Sequence, residues 1–135
     1  MERLIKIFPT KEFLEDALLE EIKLKLREAI SKLGIAKILL SGGSTPSGLY
    51  KKLSSIKLDW SKVIVGLVDE RFVENTSDYS NEKLIRESLL INNAKNATFV
   101  PMINSISNEK ENLITTKESY SIFNQSTFVI LGMGE

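Results

Sequence analysis

Apolar residues recur every three or four positions through the first quarter of the chain, a pattern typical of an amphipathic helix. These apolar positions are Leu14, Ala17, Leu18, Ile22, Leu26, Ala29, Ile30 and Leu33. Thr10 precedes the segment and Gly34 follows it, and glycine commonly ends a helix. Acidic residues come early and basic residues late, an order that suits the helix dipole. The sequence therefore predicts one long helix between Thr10 and Gly34.

Short apolar runs bounded by turn residues alternate with further helical segments in the rest of the chain. The runs predict four strands, at residues 35–40, 62–68, 97–100 and 127–131. Helices are predicted at about 46–53, from Ser80 or Asn81 to about Ile91, and within the polar residues 104–124. Such alternation predicts an α/β fold, a Rossmann-like parallel sheet flanked by helices.

Residues 1–135 are expected to form part of a single domain, because this length fits one domain and no linker or repeat interrupts it. The sequence ends four residues after the fourth predicted strand, in a glycine-rich loop. A complete domain rarely stops at such a point. We therefore expect a sheet that is truncated after its fourth strand.

Composition excludes several classes of function. The chain has no cysteine and no histidine, so it holds no disulfide, no zinc–thiolate site, no His-ligated metal and no Ser-His-Asp triad. The 18 basic residues equal the 18 acidic ones, whereas nucleic-acid binders usually carry a basic excess. No apolar run reaches the roughly 20 residues of a membrane span, and no secretory signal is visible. We therefore expect a cytoplasmic protein without nucleic-acid or membrane partners.

Polar and glycine-rich loops follow the predicted strands, where parallel sheets bind their ligands. The first is residues 41–48, with sequence SGGSTPSG. Ser44 and Thr45 can cap a helix, Pro46 fits its first turn, and the free amides of that turn suit a phosphate. A ligand-free turn explains the segment equally well. Neither a Walker A loop, which needs Lys-Ser/Thr at 49–50, nor the dinucleotide pattern of spaced glycines is present.

The loop after the second strand carries two acids and an arginine. Asp69 and Glu70 are predicted to lie at the edge of the crevice, and Arg71 can bind a carboxylate or phosphate through its planar fork. A solvated loop with a local ion pair is the alternative interpretation. Asp78 or Ser80 is predicted to cap the following helix. The last segment, residues 131–135, forms either another amide cradle or a simple turn.

Six segments, taken in order, resemble the family of glucosamine-6-phosphate isomerases and 6-phosphogluconolactonases. They are SGGSTPSGLYKKL at 41–53, DWSKV at 59–63, LVDERFV at 67–73, DYSNEKLIRESLL at 78–90, FVPM at 99–102 and FVILGMGE at 128–135. The Ser-Gly-Gly-Ser-Thr-Pro and Asp-Glu-Arg forms resemble the lactonase branch. The deaminase branch usually has Thr-Gly-Gly-Thr-Pro and a Met-Asp-Glu-Tyr-like segment instead.

The resemblance implies hydrolysis of 6-phospho-D-glucono-1,5-lactone to 6-phosphogluconate in the pentose phosphate pathway. This reaction needs no metal and no cofactor, and its small-molecule partner is the sugar-phosphate lactone. The implied catalytic residues are Asp69 and Arg71, and the implied substrate-binding residues are Gly42, Gly43, Ser44, Thr45, Arg71, Gly132 and Gly134. In the family, Gly-Met-Gly-Glu continues into Asp-Gly-His-Thr-Ala-Ser, whose histidine is assigned as the base that activates water. The resemblance therefore covers roughly the first half of a family member.

Two other functions stay open on the sequence. One is a glucosamine-6-phosphate deaminase or isomerase, which the Asp-Glu-Arg form disfavours. The other is a non-catalytic domain that binds a sugar phosphate. Since the 135 residues contain no histidine, we expect no appreciable lactonase activity from them alone. Separately, we expect a sheet truncated after its fourth strand to expose apolar surface that favours self-association. The sequence leaves the oligomeric state open.

Overall fold

The computed structural model describes residues 5–132 and contains one four-stranded parallel sheet. The strands are β1 (Ala36–Leu40), β2 (Val63–Leu67), β3 (Thr98–Phe99) and β4 (Phe128–Ile130), in the spatial order β3-β2-β1-β4. β1 pairs with β2 along its whole length and with β4 from Ile38 to Leu40. The α/β fold with a parallel sheet is thus confirmed, and all four predicted strands are present.

Alternating burial along the strands explains how the sheet holds its helices. Ala36, Ile38 and Leu40 are buried, while the residues between them are only partly buried. Because successive side chains of a strand point to opposite faces, these residues share one face of the sheet. The hydrophobic core on that face includes residues of three helices, α1 (Lys11–Leu33), α2 (Ser44–Ser54) and α3 (Asn81–Ser88).

Helix α1 follows the sequence prediction at both ends. The Thr10 hydroxyl accepts a hydrogen bond from the Phe13 amide at 3.2 Å, and Gly34 ends the helix in the left-handed conformation with φ 76°. Its predicted apolar stripe is only partly correct. The middle residues Ile22, Leu26 and Ala29 are buried, but Leu14, Ala17 and Leu33 are exposed, because only the middle turns pack into the core.

The other helices begin and end at positions that differ from the prediction. Helix α2 starts two residues before the predicted Pro46, at Ser44. Helix α3 stops at Ser88 instead of about Ile91, and a 3₁₀ turn at Asn92–Asn96 follows, with Asn92 at φ 50°. Within residues 104–124, only Glu109–Ser119 is α-helical (α4). The Asn108 side chain caps this helix by accepting from the Glu111 amide, which fixes its later start.

The 3₁₀ segment Tyr120–Gln125 follows α4 and packs against the opposite face of the sheet. A Cβ at Gly66, in the middle of β2, would lie 2.6 Å from the Phe123 ring, so glycine there makes room for the ring. The Tyr120 hydroxyl accepts from the Leu67 amide at 2.9 Å and donates to the Val100 carbonyl at 2.8 Å. This side chain therefore bridges the ends of β2 and β3, beyond the short ladder of β3.

Candidate active site

The strand order creates a crevice between the ends of β1 and β4. The chain passes from β1 to β2 and β3 on one side, and then returns to the other side of β1 to form β4. In open parallel sheets, ligands bind outside the carboxyl ends of the strands at such a reversal. The Ser41 amide donates to the Ile130 carbonyl at 3.0 Å, so the loops that follow β1 and β4 start side by side.

A groove of about 740 Å³ opens at this point. It contains seven of the residues predicted for the site, namely Gly42, Gly43, Ser44, Thr45, Asp69, Arg71 and Gly132. The eighth, Gly134, lies outside the described residues. The groove also has a wall from α1, which sequence reasoning did not assign to the site: Lys11, Leu14, Glu15 and Leu18. No pattern could have assigned it, because α1 precedes every strand and reaches the crevice only through tertiary packing.

The N-terminus of α2 faces this groove without a capping side chain. Ser44 and Thr45 were predicted as caps, but they lie inside the first turn, and Gly43 is the N-cap at φ 103°. A glycine cap supplies no side-chain oxygen to the first-turn amides, and the first turn contains no acidic residue. Free amides at the positive end of a helix dipole favour an anion. The loop therefore has the local chemistry of a phosphate or carboxylate site.

Tyr50 holds the start of this loop. Its hydroxyl donates to the Ser41 carbonyl at 2.7 Å, and burial raises the pKa of Tyr50 to about 12. The Ser41 hydroxyl is also buried, and it has no hydrogen-bond partner among the described residues. It would lie 3.1 Å from a Cβ placed on Gly132. An unpaired buried hydroxyl is unusual in a folded protein, and Ser41 is one of the residues that line the groove.

Glu70 was predicted to lie at the edge of the crevice, and this is wrong. Its carboxylate turns away and accepts from the Asn81 and Glu82 amides, at 2.7 and 2.9 Å, at the start of α3. The Ser80 hydroxyl donates to it as well, at 3.3 Å, while also capping the helix as predicted. A carboxylate satisfies the free amides of a helix N-terminus and its positive dipole end, so Glu70 is structural.

Arg71 lies in the groove with its charge uncompensated. One guanidinium nitrogen, Nη1, donates to the Tyr79 carbonyl at 3.0 Å and to Oδ1 of Asn81 at 3.4 Å. Within residues 5–132, no carboxylate lies within ion-pair distance of it. The local ion pair that offered an alternative interpretation of this segment is therefore absent from the described residues. Asp78, the other predicted cap, pairs instead with Lys83 at 2.5 Å.

Asn81 is a site residue that sequence reasoning missed. The sequence predicts it only as a possible start of α3, yet Asn81 lines the groove and the residue is only 6% exposed. Its amide nitrogen donates to the Asp69 carbonyl at 3.1 Å. A Cβ on Gly42 would lie 2.1 Å from its Oδ1, so the Gly42 backbone packs directly against the carboxamide. The Ser-Asn pair at a helix start gave no signal, because either residue type is common there.

The part of the chain that the structure describes contains no cluster of three acidic residues able to hold a metal ion. None of its helices is long and apolar enough to cross a membrane.

Comparison with known proteins identifies relatives along almost the whole sequence. The family model described as glucosamine-6-phosphate isomerases/6-phosphogluconolactonase matches residues 9–135. The 6-phosphogluconolactonase of Rhizobium meliloti (strain 1021) is 40% identical over 129 residues, which are 95% of this chain and 56% of the relative. That of Helicobacter pylori (strain ATCC 700392 / 26695) is 38% identical over 119 residues, 87% of this chain and 52% of the relative. The chain thus spans about half the length of these curated relatives.

Solved structures agree with this result. The crystal structure of a 6-phosphogluconolactonase from Shewanella baltica OS155 has a TM-score of 0.93 and 42% identity, and the match covers 98% of this chain and 57% of that one. The enzyme from Thermotoga maritima has a TM-score of 0.74 and 29% identity, with 89% and 56% covered. Because the family model matches all but the first eight residues, this chain belongs to the glucosamine-6-phosphate isomerase/6-phosphogluconolactonase family.

Proposed function

We propose that this chain forms the substrate-binding part of a 6-phosphogluconolactonase, which hydrolyses 6-phospho-D-glucono-1,5-lactone to 6-phosphogluconate. The observation that carries the proposal is the convergence of seven predicted site residues on one groove at the strand-order reversal. The relatives named above are called 6-phosphogluconolactonases, and this supports the lactone as the substrate. The proposal retains the single-domain organisation and the cytoplasmic location expected from the sequence.

The groove offers two groups that attract an anionic ligand, the N-terminus of α2 and the guanidinium of Arg71. The uncapped N-terminus of α2, with Gly43, Ser44 and Thr45, suits the phosphate group. Arg71 provides a planar guanidinium that no described carboxylate neutralises, and it can bind further anionic oxygens. Two such contacts at different ends of a small molecule fix its orientation, which accelerates reaction at the carbonyl held between them.

Lactone hydrolysis then requires attack of water on the carbonyl carbon, formation of an oxyanion, and cleavage of the ring C–O bond. The ring oxygen takes up a proton and becomes a hydroxyl group. With no histidine, these 135 residues supply no imidazole to deprotonate the water. In this proposal Asp69 and Arg71 are catalytic residues: Arg71 stabilises developing negative charge, and the exposed Asp69 carboxylate orients water or substrate hydroxyls.

A chimera tests the proposal directly. Residues 1–135 are joined to the part of the Shewanella baltica enzyme that this chain does not match. Product formation is followed by coupling to a 6-phosphogluconate dehydrogenase and recording NADPH absorbance against the spontaneous hydrolysis of the lactone. We expect enzyme-level turnover from the folded chimera and none from the 135-residue chain alone.

The alternatives give different results in the same preparation. Release of ammonia from glucosamine 6-phosphate, without lactone hydrolysis, would overturn the proposal in favour of a deaminase. Binding of 6-phosphogluconate by a folded chimera that turns over neither substrate would favour a non-catalytic sugar-phosphate-binding domain. Turnover by the 135-residue chain alone would show that water is activated by one of its own residues.

A further inference from the structure

We propose that Asn81 is a positioning residue that holds Arg71 and the Asp69 backbone against the loop of residues 41–48 at Gly42, without neutralising the arginine. This inference rests on the proposed function and deepens it. Asn81 is the first residue of α3, and its carboxamide lines the groove between the loops that follow β1 and β2.

Asn81 joins three separate segments of the chain. Its amide nitrogen donates to the Asp69 carbonyl at 3.1 Å, and its Oδ1 lies 3.4 Å from Nη1 of Arg71. On the other side, the carboxamide fills the space that a Cβ on Gly42 would need, with Oδ1 at 2.1 Å and Cγ at 2.4 Å from that position. The Asn81 side chain thus links Arg71, the Asp69 backbone and the Gly42 loop, while the Tyr79 carbonyl provides the second acceptor for Arg71.

Asn81 is itself held in place by hydrogen bonds at the start of α3. Its backbone amide donates to the Glu70 carboxylate at 2.7 Å, and the neighbouring Glu82 amide donates to the same carboxylate at 2.9 Å. The residue is only 6% exposed, so its side chain has little freedom to change its rotamer. A rigid, buried amide orients its hydrogen-bond partners more precisely than an exposed one, because no competing water can replace it.

The contacts of Arg71 leave its positive charge intact. Both groups that accept from Arg71, the Tyr79 carbonyl and the Asn81 carboxamide, are neutral. A carboxylate at position 81 would hold the guanidinium more tightly, but it would also cancel the charge that an anionic ligand needs. Asparagine orients the guanidinium of Arg71 without cancelling its positive charge, and an arginine that binds an anion requires both.

The proposal predicts that Asn81 acts through Arg71, and a double-mutant cycle measures this. Affinity for 6-phosphogluconate is determined by calorimetry for the 135-residue chain, for Asn81→Leu, for Arg71→Ala and for the double variant. We expect Asn81→Leu to weaken binding about tenfold in the unaltered chain and less than about twofold in the Arg71→Ala background. Equal losses in both backgrounds would overturn the positioning role.

A second measurement needs no ligand, so it separates failure of this proposal from failure of the proposed function. The order of the Arg71 side chain is measured by ¹⁵N relaxation of its Nε–H group in the free protein. We expect lower order in Asn81→Leu. In Asn81→Asp, which restores an acceptor and adds a charge, we expect order at least equal to that of the unaltered chain but weaker binding of 6-phosphogluconate. Unchanged order in Asn81→Leu would overturn the proposal.

If the unaltered chain fails to bind 6-phosphogluconate, the proposed function loses its support, while the relaxation result still decides the role of Asn81. In the active chimera, Asn81→Leu is also expected to change KM and kcat in the same proportions as Arg71→Ala. A lower melting temperature with unchanged kinetic constants would contradict the proposal. Asn93→Leu is the matched control, because Asn93 is an exposed asparagine outside the groove that donates to the Ser55 carbonyl at 3.0 Å.

Discussion

Glu70 and Arg71 are adjacent in sequence, yet they serve different structures. The Glu70 carboxylate accepts hydrogen bonds from the amides that begin α3. Arg71 lies in the groove and donates only to neutral acceptors. The charge pattern of the sequence predicted the position of both residues at the end of β2. It could not separate their roles, because side-chain direction in a loop depends on α3, which begins ten residues later.

Replacement of Arg71 by alanine should weaken binding far more than it weakens the fold. Loss of a charged hydrogen-bond donor to an anionic ligand is expected to lower affinity for 6-phosphogluconate about tenfold to a hundredfold. The cost to stability is expected to stay below about 1.5 kcal/mol, since only the contacts of Nη1 with Tyr79 and Asn81 are lost. Calorimetric titration and urea unfolding measure the two effects.

Arg27→Ala is the matched control for this prediction. Arg27 is exposed and donates to the Lys57 carbonyl at 3.1 Å, like the bond of Arg71 to Tyr79, but it lies outside the groove. The Arg27→Ala variant should lose a similar amount of stability but none of its affinity for 6-phosphogluconate. A comparable loss of affinity in both variants would mean that binding depends on the net charge of the protein and not on a contact with Arg71.

At the scale of elements, β3 depends on a side chain from another segment for its attachment to the sheet. Only two of its residues pair with β2. Beyond them, the Tyr120 hydroxyl links the strands through hydrogen bonds to the Leu67 amide and the Val100 carbonyl. The prediction of a four-residue strand at 97–100 overestimated its length, since the Tyr120 hydroxyl lies between the Leu67 amide and the Val100 carbonyl, where the next ladder bond would form. The tyrosine that replaces the missing ladder bonds lies in a polar segment whose periodicity is weak.

Tyr120→Phe should destabilise the protein by about 1 to 3 kcal/mol, because the Leu67 amide and the Val100 carbonyl lose their partner in a partly buried site. Urea unfolding followed by the fluorescence of Trp60, the single tryptophan, measures the change. Tyr79→Phe serves as the control, because Tyr79 is 72% exposed and should change stability little. Equal effects in the two variants would refute the bridging role.

Sequence reasoning worked best where one element fixes its own boundaries. Thr10 and Gly34 bracket α1 through local hydrogen bonds and a left-handed residue, so their residue types were informative. It worked least well for α2 and α4. The start of α2 at Ser44 depends on the tight turn at Gly43, and the start of α4 depends on capping by Asn108. The groove was predictable from strand ends, but its α1 wall and Asn81 follow from packing.

At the scale of the whole molecule, β4 forms an edge of the described sheet. Val129 is 45% exposed, and β4 pairs only with β1 within residues 5–132. An exposed apolar edge strand is a template for association with another chain. We expect the 135-residue chain to self-associate with rising concentration in analytical ultracentrifugation, and Val129→Lys to reduce this. Leu24→Lys, on an exposed position of α1, should leave association unchanged. Purely monomeric behaviour of the unaltered chain would contradict this expectation.

Stability should fall in alkaline solution. Burial raises the pKa of Tyr50 and of Tyr120 to about 12, whereas unfolded tyrosine has a pKa of about 10. Below about pH 10 both states keep their protons, and this stabilisation is fully present. Between about 10 and 12 the unfolded state releases protons first, so the free energy of unfolding decreases as pH rises. Paired lysines such as Lys32, whose hydrogen bond to Glu28 raises its pKa, act in the same direction.

Urea unfolding at a series of pH values checks this dependence. The Tyr50→Phe and Tyr120→Phe variants should show a shallower decline above about pH 10 than the unaltered chain, because each has lost one of the two shifted groups. A decline of the same steepness in all three proteins would assign it to other groups.

The placement of β4 beside β1 also dictates when the groove can form during folding. The Thr127 hydroxyl accepts from the Lys37 amide across 90 positions of sequence, and contacts of such separation form late. In pulsed hydrogen exchange, the Val68 amide, which donates to Leu40, should gain protection before the Thr127 amide, which donates to Lys37. Reversed or simultaneous protection would contradict this order. A ribosome-bound chain therefore lacks the β4 side of the groove until residues 128–132 have emerged, and a ligand can stabilise the groove only after that step.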